Sequence, residues 1–256
     1  MRLWWRFWRI TARWIHTLAF QGRVLDVRNV PRKGGVLLVS THQSFFDPVL
    51  ASLAFDRECN FMAREDLFRN RWFASFIGSL NAFPVRRNSA DMRAIKETLR
   101  RLKCGRIVLV FPEGTRTSDG RIGELQPGVA AIAKQAKVTI VPTLIEGAYN
   151  VLPRYARLPR QARIVVKYAP PIGRDEVAAM TKQALMARID RTLRRMQAEV
   201  RGIYRFPPWP GSLPNRPRIR REPDGSRWHV DFLADRLTLK IPSRQEAAWR
   251  FRREGA

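Results

Sequence analysis

Residues 40–48 read STHQSFFDP, and two of them can do acid–base chemistry together. His42 follows a short apolar run, residues 36–40 (VLLVS), that reads as a buried strand. Asp47 stands five positions on, where Asp followed by Pro48 suits a helix start. The carboxylate caps, and a proline at the first position gives up no useful N–H. A carboxylate beside an imidazole fixes its tautomer and stabilises the imidazolium formed when the ring takes a proton. An isolated histidine is more often structural, and an Asp here more often a plain cap, so the pair alone leaves both readings open.

Two further segments carry suitable groups. Residues 111–120 (FPEGTRTSDG) follow another apolar run. Gly114 permits close backbone approach, Arg116 offers a planar fork suited to phosphate, and Gly120 suits a tight turn. Residues 83–87 (FPVRR) put Arg86 and Arg87 at a third strand end, where they either bind phosphate or face water. In an open α/β sheet, strand ends are where sites form.

The elements that must position these groups alternate. Strands are expected at 36–40, 59–63, 107–111, 138–144 and 164–168. Helices are expected from Asp47 through Leu50, Leu53 and Ala54, over 71–80, from Ser89 with Met92, Ile95, Leu99 and Leu102 on one face, after Pro127-Gly128, and as one long helix over 175–200. Such alternation argues an α/β fold with a mostly parallel mixed sheet flanked by helices. Three parts are expected: an amphipathic helix at 1–22, a catalytic domain at 23–204, and a Pro-rich linker with a small C-terminal extension at 205–256. Residues 206–217 hold five prolines, and 228–241 alternate loosely enough for a hairpin.

The first twenty residues are of a different kind. Arg2, Arg6, Arg9 and Arg13 fall within an arc of roughly 60° on a helix. Trp4, Trp5, Trp8 and Trp14, with Phe7, Ile10, Ile15 and Leu18, cover the remainder. An aromatic face beside a narrow basic stripe suits a helix lying in a membrane interface. A terminal helix packed on its own domain is the plainer alternative.

The formal net charge of +26 draws in anionic partners, whether lipid head groups, nucleic acid or phosphorylated substrates. Two cysteines, Cys59 and Cys104, form neither a CxxC pair nor a zinc spacing, and are expected as buried, reduced thiols. No apolar stretch reaches the roughly 20 residues that cross a bilayer, and no signal-peptide core is visible. The expectation is a membrane-associated protein on the cytoplasmic face, not exported.

Taken together the segments carry a resemblance. Residues 42–47 (HQSFFD) match the H-x4-D motif of the glycerolipid acyltransferase superfamily. Residues 83–86 (FPVR) resemble its second block, 111–116 (FPEGTR) its third and 140–143 (IVPT) its fourth, in the family's order and with similar spacing. The resemblance covers about residues 30–170 and points to the 1-acyl-sn-glycerol-3-phosphate acyltransferase family. It implies transfer of a fatty acyl group from a thioester, coenzyme A or acyl carrier protein, to the hydroxyl of a lysophosphatidate-like lipid. It implies His42 as general base with Asp47 as its partner. Arg86, Glu113, Gly114, Thr115 and Arg116 would form the acceptor-binding region, and Pro142 would shape the acyl or acceptor channel. No metal or cofactor is implied beyond the acyl thioester. Two departures stand out: Thr41 where many relatives have Asn, and Gln126 where many have Lys before Pro-Gly. Another lysolipid or an amino-acid lipid remains the alternative acceptor. A basic nucleic-acid-binding protein is the distant alternative, which would not account for the ordered blocks.

Overall fold

Residues 36–40 and 107–110 are apolar at nearly every position, and strands of that kind must be covered on both faces. The computed structural model describes residues 3–86, 91–156, 158–209, 218–221, 228–231 and 236–237, and divides into two compact units, Met1–Phe206 and Pro207–Ala256. In the first unit, α1 (Leu3–Ala19) and β1 (Arg23–Leu25) precede β2 (Val36–Ser40), α2 (Asp47–Leu50), β3 (Cys59–Arg64), α3 (Arg71–Ser79) and β4 (Ala82–Val85). Next come α4 (Met92–Lys103), β5 (Ile107–Val110), α5 (Gly128–Ala136), β6 (Thr139–Glu146) and α6 (Ala148–Val151). The unit closes with β7 (Val165–Tyr168), α7 (Arg174–Ala179) and α8 (Lys182–Tyr204). In the second unit, β8 (Arg218–Arg221), β9 (Trp228–Asp231) and β10 (Arg236–Leu237) pair antiparallel in the order β8-β9-β10.

Among the described residues of the first unit, seven strands form one sheet in the order β1-β7-β6-β2-β5-β3-β4. The five strands from β6 to β4 run parallel; β7 runs antiparallel to β6, and β1 follows β7. Successive residues along a strand serve opposite faces. On one face, Leu37, Val108, Ile140 and Leu144 share a core with Leu102 of α4, Ala133 of α5, and Leu185, Ile189 and Leu193 of α8. On the opposite face, Val36, Leu38, Ile107, Leu109, Val141 and Ile145 meet Leu50, Leu53, Phe55, Val151 and Tyr168. The sheet is thus sandwiched, and its central strands expose no edge to water.

Several local expectations are corrected. The helix opening at Asp47 ends at Leu50 after one turn, because the chain bends to bury Leu53 and Phe55 in the core. Asp47 lies inside that helix and does not cap it; Phe46 takes the cap position. The helix start expected at Ser89 lies outside the described residues, as does Arg87. α4 begins at Met92, where the Asp91 carboxylate accepts from the Arg93 and Ala94 amides, and Met92 is exposed instead of facing the core. The single helix expected over 175–200 is two, because Met180 is extended and Thr181 accepts from the Ala184 amide to start α8 afresh. β1, with three residues, carries no strand pattern in the sequence, whereas β4 ends just before Arg86 as expected and tolerates Pro84 because it is an edge strand. Cys59 is buried and its thiol is pushed up to about 12 by burial, whereas Cys104 is exposed at the end of α4.

α1 has two working faces. Trp5 and His16 are buried against the domain, and Arg9 pairs with Asp56 at 2.6 Å while donating to the Phe55 carbonyl at 3.2 Å. Trp8 packs edge-on against Phe76 of α3, and Trp4 donates to the Ser79 hydroxyl at 2.9 Å. Trp5 and Arg9 therefore face the domain and do not belong to an outward stripe. Leu3, Phe7, Ile10, Trp14, Ile15 and Leu18 remain exposed, as do Arg6 and Arg13, and Arg2 lies outside the described residues.

The crossing from β6 to α6 turns on Gly147, with φ of +91°, where an added Cβ would stand 2.0 Å from the Arg163 carbonyl oxygen. Gly147→Ala is expected to cost about 2 kcal/mol or more. The check is the urea midpoint of the full chain, which should fall with an unchanged slope.

Candidate active site

The H-x4-D turn begins where β2 ends at Ser40, on the carboxyl edge of the parallel strands. One oxygen of the buried Asp47 carboxylate, Oδ2, collects three donors from this turn. The Gln43 amide donates at 2.5 Å, the Ser44 amide at 2.7 Å, and His42 Nδ1 lies at 2.8 Å. The five-residue spacing thereby closes on itself. With Nδ1 facing a carboxylate, the fitting tautomer carries its proton there and leaves the Nε2 lone pair for another partner. The imidazole also lies flat on Phe111, with ring centroids 3.9 Å apart and 13° between planes.

The loop after β5 holds the same turn from its other side. Glu113 Oε1 accepts from the His42 amide at 2.8 Å, and Oε2 accepts from the Gly123 amide at 2.9 Å. The Thr117 amide donates to the His42 carbonyl at 2.9 Å. Burial, helped by the Asp47 charge, raises the Glu113 carboxyl above its ordinary value, although both backbone amides and His42 oppose the rise. Gly114 sits at φ +67°, a conformation that favours glycine, and Thr115 is exposed beside the half-buried Arg116. Glu113 and Thr117 thus both hold the His42 backbone, and Gly114, Thr115 and Arg116 lie between them in the chain.

Two expected residues stand apart. Arg86 follows β4, three strands from β2, or roughly 14 Å at the usual spacing. Its guanidinium pairs with Glu65 at 2.9 Å and lines a cavity of ≈ 760 Å³ with Arg64, Asp66 and Arg69. Pro142 is buried within β6, in register with Val39 of β2, so it bears on the site through the strand and not as an exposed wall. Of the two departures, Thr41 is buried and sews β2 to β6: its hydroxyl accepts from the Ile145 amide and donates to the Ile145 carbonyl. Gln126 is exposed, and its amide donates to the Pro112 carbonyl.

Sequence reading missed a third buried carboxylate, Glu146, at the end of β6. It is met by Gln43, Gln197 and Arg201. A charge closing an apolar strand was the available signal, but its α8 partners lie 51 and 55 residues away and share no motif with it.

Residues 22–146 match the family described as Acyltransferase. Over 126 residues the chain is 33% identical to the 1-acyl-sn-glycerol-3-phosphate acyltransferase of Bacillus subtilis, covering 49% of this chain and 62% of that one. Over 165 residues it is 31% identical to the enzyme of the same name from Streptococcus pneumoniae, covering 64% and 58%. The chain thus spans about three fifths of the length of either relative. The crystal structure of the 1-acyl-sn-glycerophosphate acyltransferase PlsC from Thermotoga maritima superposes with a TM-score of 0.67 at 24% identity, covering 77% of this chain and 79% of that one, a likeness of fold.

The raised Glu113 carboxyl has a signed consequence. Folding takes up a proton there, so the group's contribution is fully present below the ordinary value of 4.5 and is lost as pH rises through the folded-state value. Wild type is expected to lose more stability than Glu113→Gln over that rise, read by urea unfolding below pH 4.5 and at neutral pH.

Proposed function

We propose that this chain is an acyltransferase that moves a fatty acyl group from an acyl thioester to the free hydroxyl of a lysophosphatidate-like lipid, a reading supported by the match of residues 22–146 to the acyltransferase family. The observation that carries the reading is the His42–Asp47 contact of 2.8 Å at the carboxyl edge of the sheet, with Nε2 directed away from it. Both bacterial relatives are 1-acyl-sn-glycerol-3-phosphate acyltransferases, which supports lysophosphatidate as acceptor. Coenzyme A and acyl carrier protein both fit the donor's role.

The step is direct transfer. His42 Nε2 takes the acceptor's hydroxyl proton as the oxygen attacks the thioester carbonyl carbon. Asp47 stabilises the imidazolium so formed. When the tetrahedral adduct collapses, the carbon–sulfur bond breaks and the imidazolium returns the proton to the leaving thiolate. The thioester is already activated, so the scheme calls on no metal. Gly114, Thr115 and Arg116 form the near part of the acceptor-binding region, with the Arg116 fork suited to its phosphate. Glu113 shapes that region by holding the His42 amide. Arg86 offers a second cation farther along the edge, where its exposed pair with Glu65 is weak enough to exchange for an anion.

A lipid substrate calls for work at the bilayer. No helix among the described residues is long and apolar enough to cross a membrane. The exposed face of α1, with Phe7, Ile10, Trp14 and Leu18 beside Arg6 and Arg13, supports binding at an anionic surface.

His42→Ala is expected to lower acceptor-dependent thiol release at least ~10²-fold, in an assay with acyl-coenzyme A and vesicles containing lysophosphatidate. Near-full activity would remove His42 as the base. Phe7→Ser with Trp14→Ser should weaken flotation with anionic vesicles while leaving the urea midpoint unchanged, because neither side chain is buried.

A further inference from the structure

We infer that Glu146 is a positioning residue: through Gln43 it holds the turn that carries His42, while α8 holds Glu146 with Gln197 and Arg201. The inference rests on the reading of His42 as the base.

The contacts form a closed set. Glu146 is 1% exposed. Its Oε2 accepts from Gln43 Nε2 at 3.2 Å and from Gln197 Nε2 at 2.9 Å, and its Oε1 accepts from Arg201 Nη1 at 2.5 Å. Gln43 Nε2 also donates to the Gly120 carbonyl at 2.9 Å, and its Oε1 accepts from the Tyr149 amide at 3.2 Å. Every polar atom of the Gln43 amide therefore has a partner, on the third motif's loop, on β6 or on α6. Its backbone amide is one of the three donors on Asp47 Oδ2. Gln43 is thus fastened at both ends, and its neighbour in the chain is His42.

Stability alone is a poor reason for this arrangement. The remainder of β6 after Thr139 is buried, and an apolar side chain at its end would fill the space without desolvating a charge. A buried ion pair with directional amide partners instead selects one geometry. Arg194 adds to the effect by donating from α8 to the Ile122 and Gly123 carbonyls, next to the amide that Glu113 holds. Glu146 is also the last residue of the matched family segment, so its α8 partners come from outside that segment.

The test compares Glu146→Ala, Glu146→Gln, Gln43→Ala and the double Gln43→Ala/Glu146→Ala in the full chain. Acyl transfer is measured with acyl-coenzyme A and lysophosphatidate vesicles, and backbone hydrogen exchange is measured over 42–47 and 36–40. Glu146→Ala is expected to lower kcat about 100-fold with KM changed less than about twofold. Glu146→Gln should recover at least about tenfold, because its carbonyl oxygen still accepts from Gln43 and Gln197. The double variant should be no slower than the slower single one. Exchange over 42–47 should quicken in Glu146→Ala while 36–40 stays protected. Multiplicative losses, a KM effect without a kcat effect, or equal quickening of both segments would overturn the inference. A wild type inactive toward the acceptor sinks the proposed function, and the exchange measurement still decides whether Glu146 holds the turn.

Discussion

A single carboxylate oxygen organises the site. Asp47 Oδ2 gathers His42 Nδ1 and the amides of Gln43 and Ser44, so the chain between the two motif residues must coil tightly around it. A buried carboxylate without such donors would carry a large desolvation penalty. The turn and the charge therefore require each other. Everything around them serves to keep that turn in place: the flat packing of Phe111, the grip of Glu113 on the His42 amide, and the Thr117 amide on the His42 carbonyl.

The sheet explains why these contacts can meet. β2 and β5 are neighbours, and both end at the same edge, so the loops after Ser40 and Val110 leave side by side. β6 flanks β2 on its other side and brings Glu146 to the same edge. Thr41 then links β2 to β6 at the point where the strands stop. Three loops from three adjacent parallel strands thus converge at one edge, the longest of them running from Phe111 to Pro127 between β5 and α5.

Much of this was legible in the residues. The apolar runs gave the central strands because strands buried on both faces leave an uninterrupted signal, as in Val36–Val39 and Ile107–Val110. The motif spacing brought out His42, Asp47 and the loop from Glu113 to Arg116. The edge strand β1 was invisible because three residues that include a charge carry no period. The break at Thr181 was missed because its cap is a single hydroxyl, weaker as a signal than the apolar stripe running through it. In α1, the division into a basic stripe and an aromatic face did not separate inward from outward: Trp5 and Arg9 both turn to the domain, Arg9 toward Asp56, a partner that no pattern within the helix discloses.

The reach of Glu146 bears on how the protein is made. Its contacts close loops of 103 residues back to Gln43 and 55 residues forward to Arg201. A chain emerging from the ribosome exposes the His42 turn early, β6 later and the end of α8 last. Until Arg201 arrives, the carboxylate at the end of β6 lacks its cation and stays hydrated in place of burying. During synthesis the sheet edge is therefore an open structure, and its completion waits for α8.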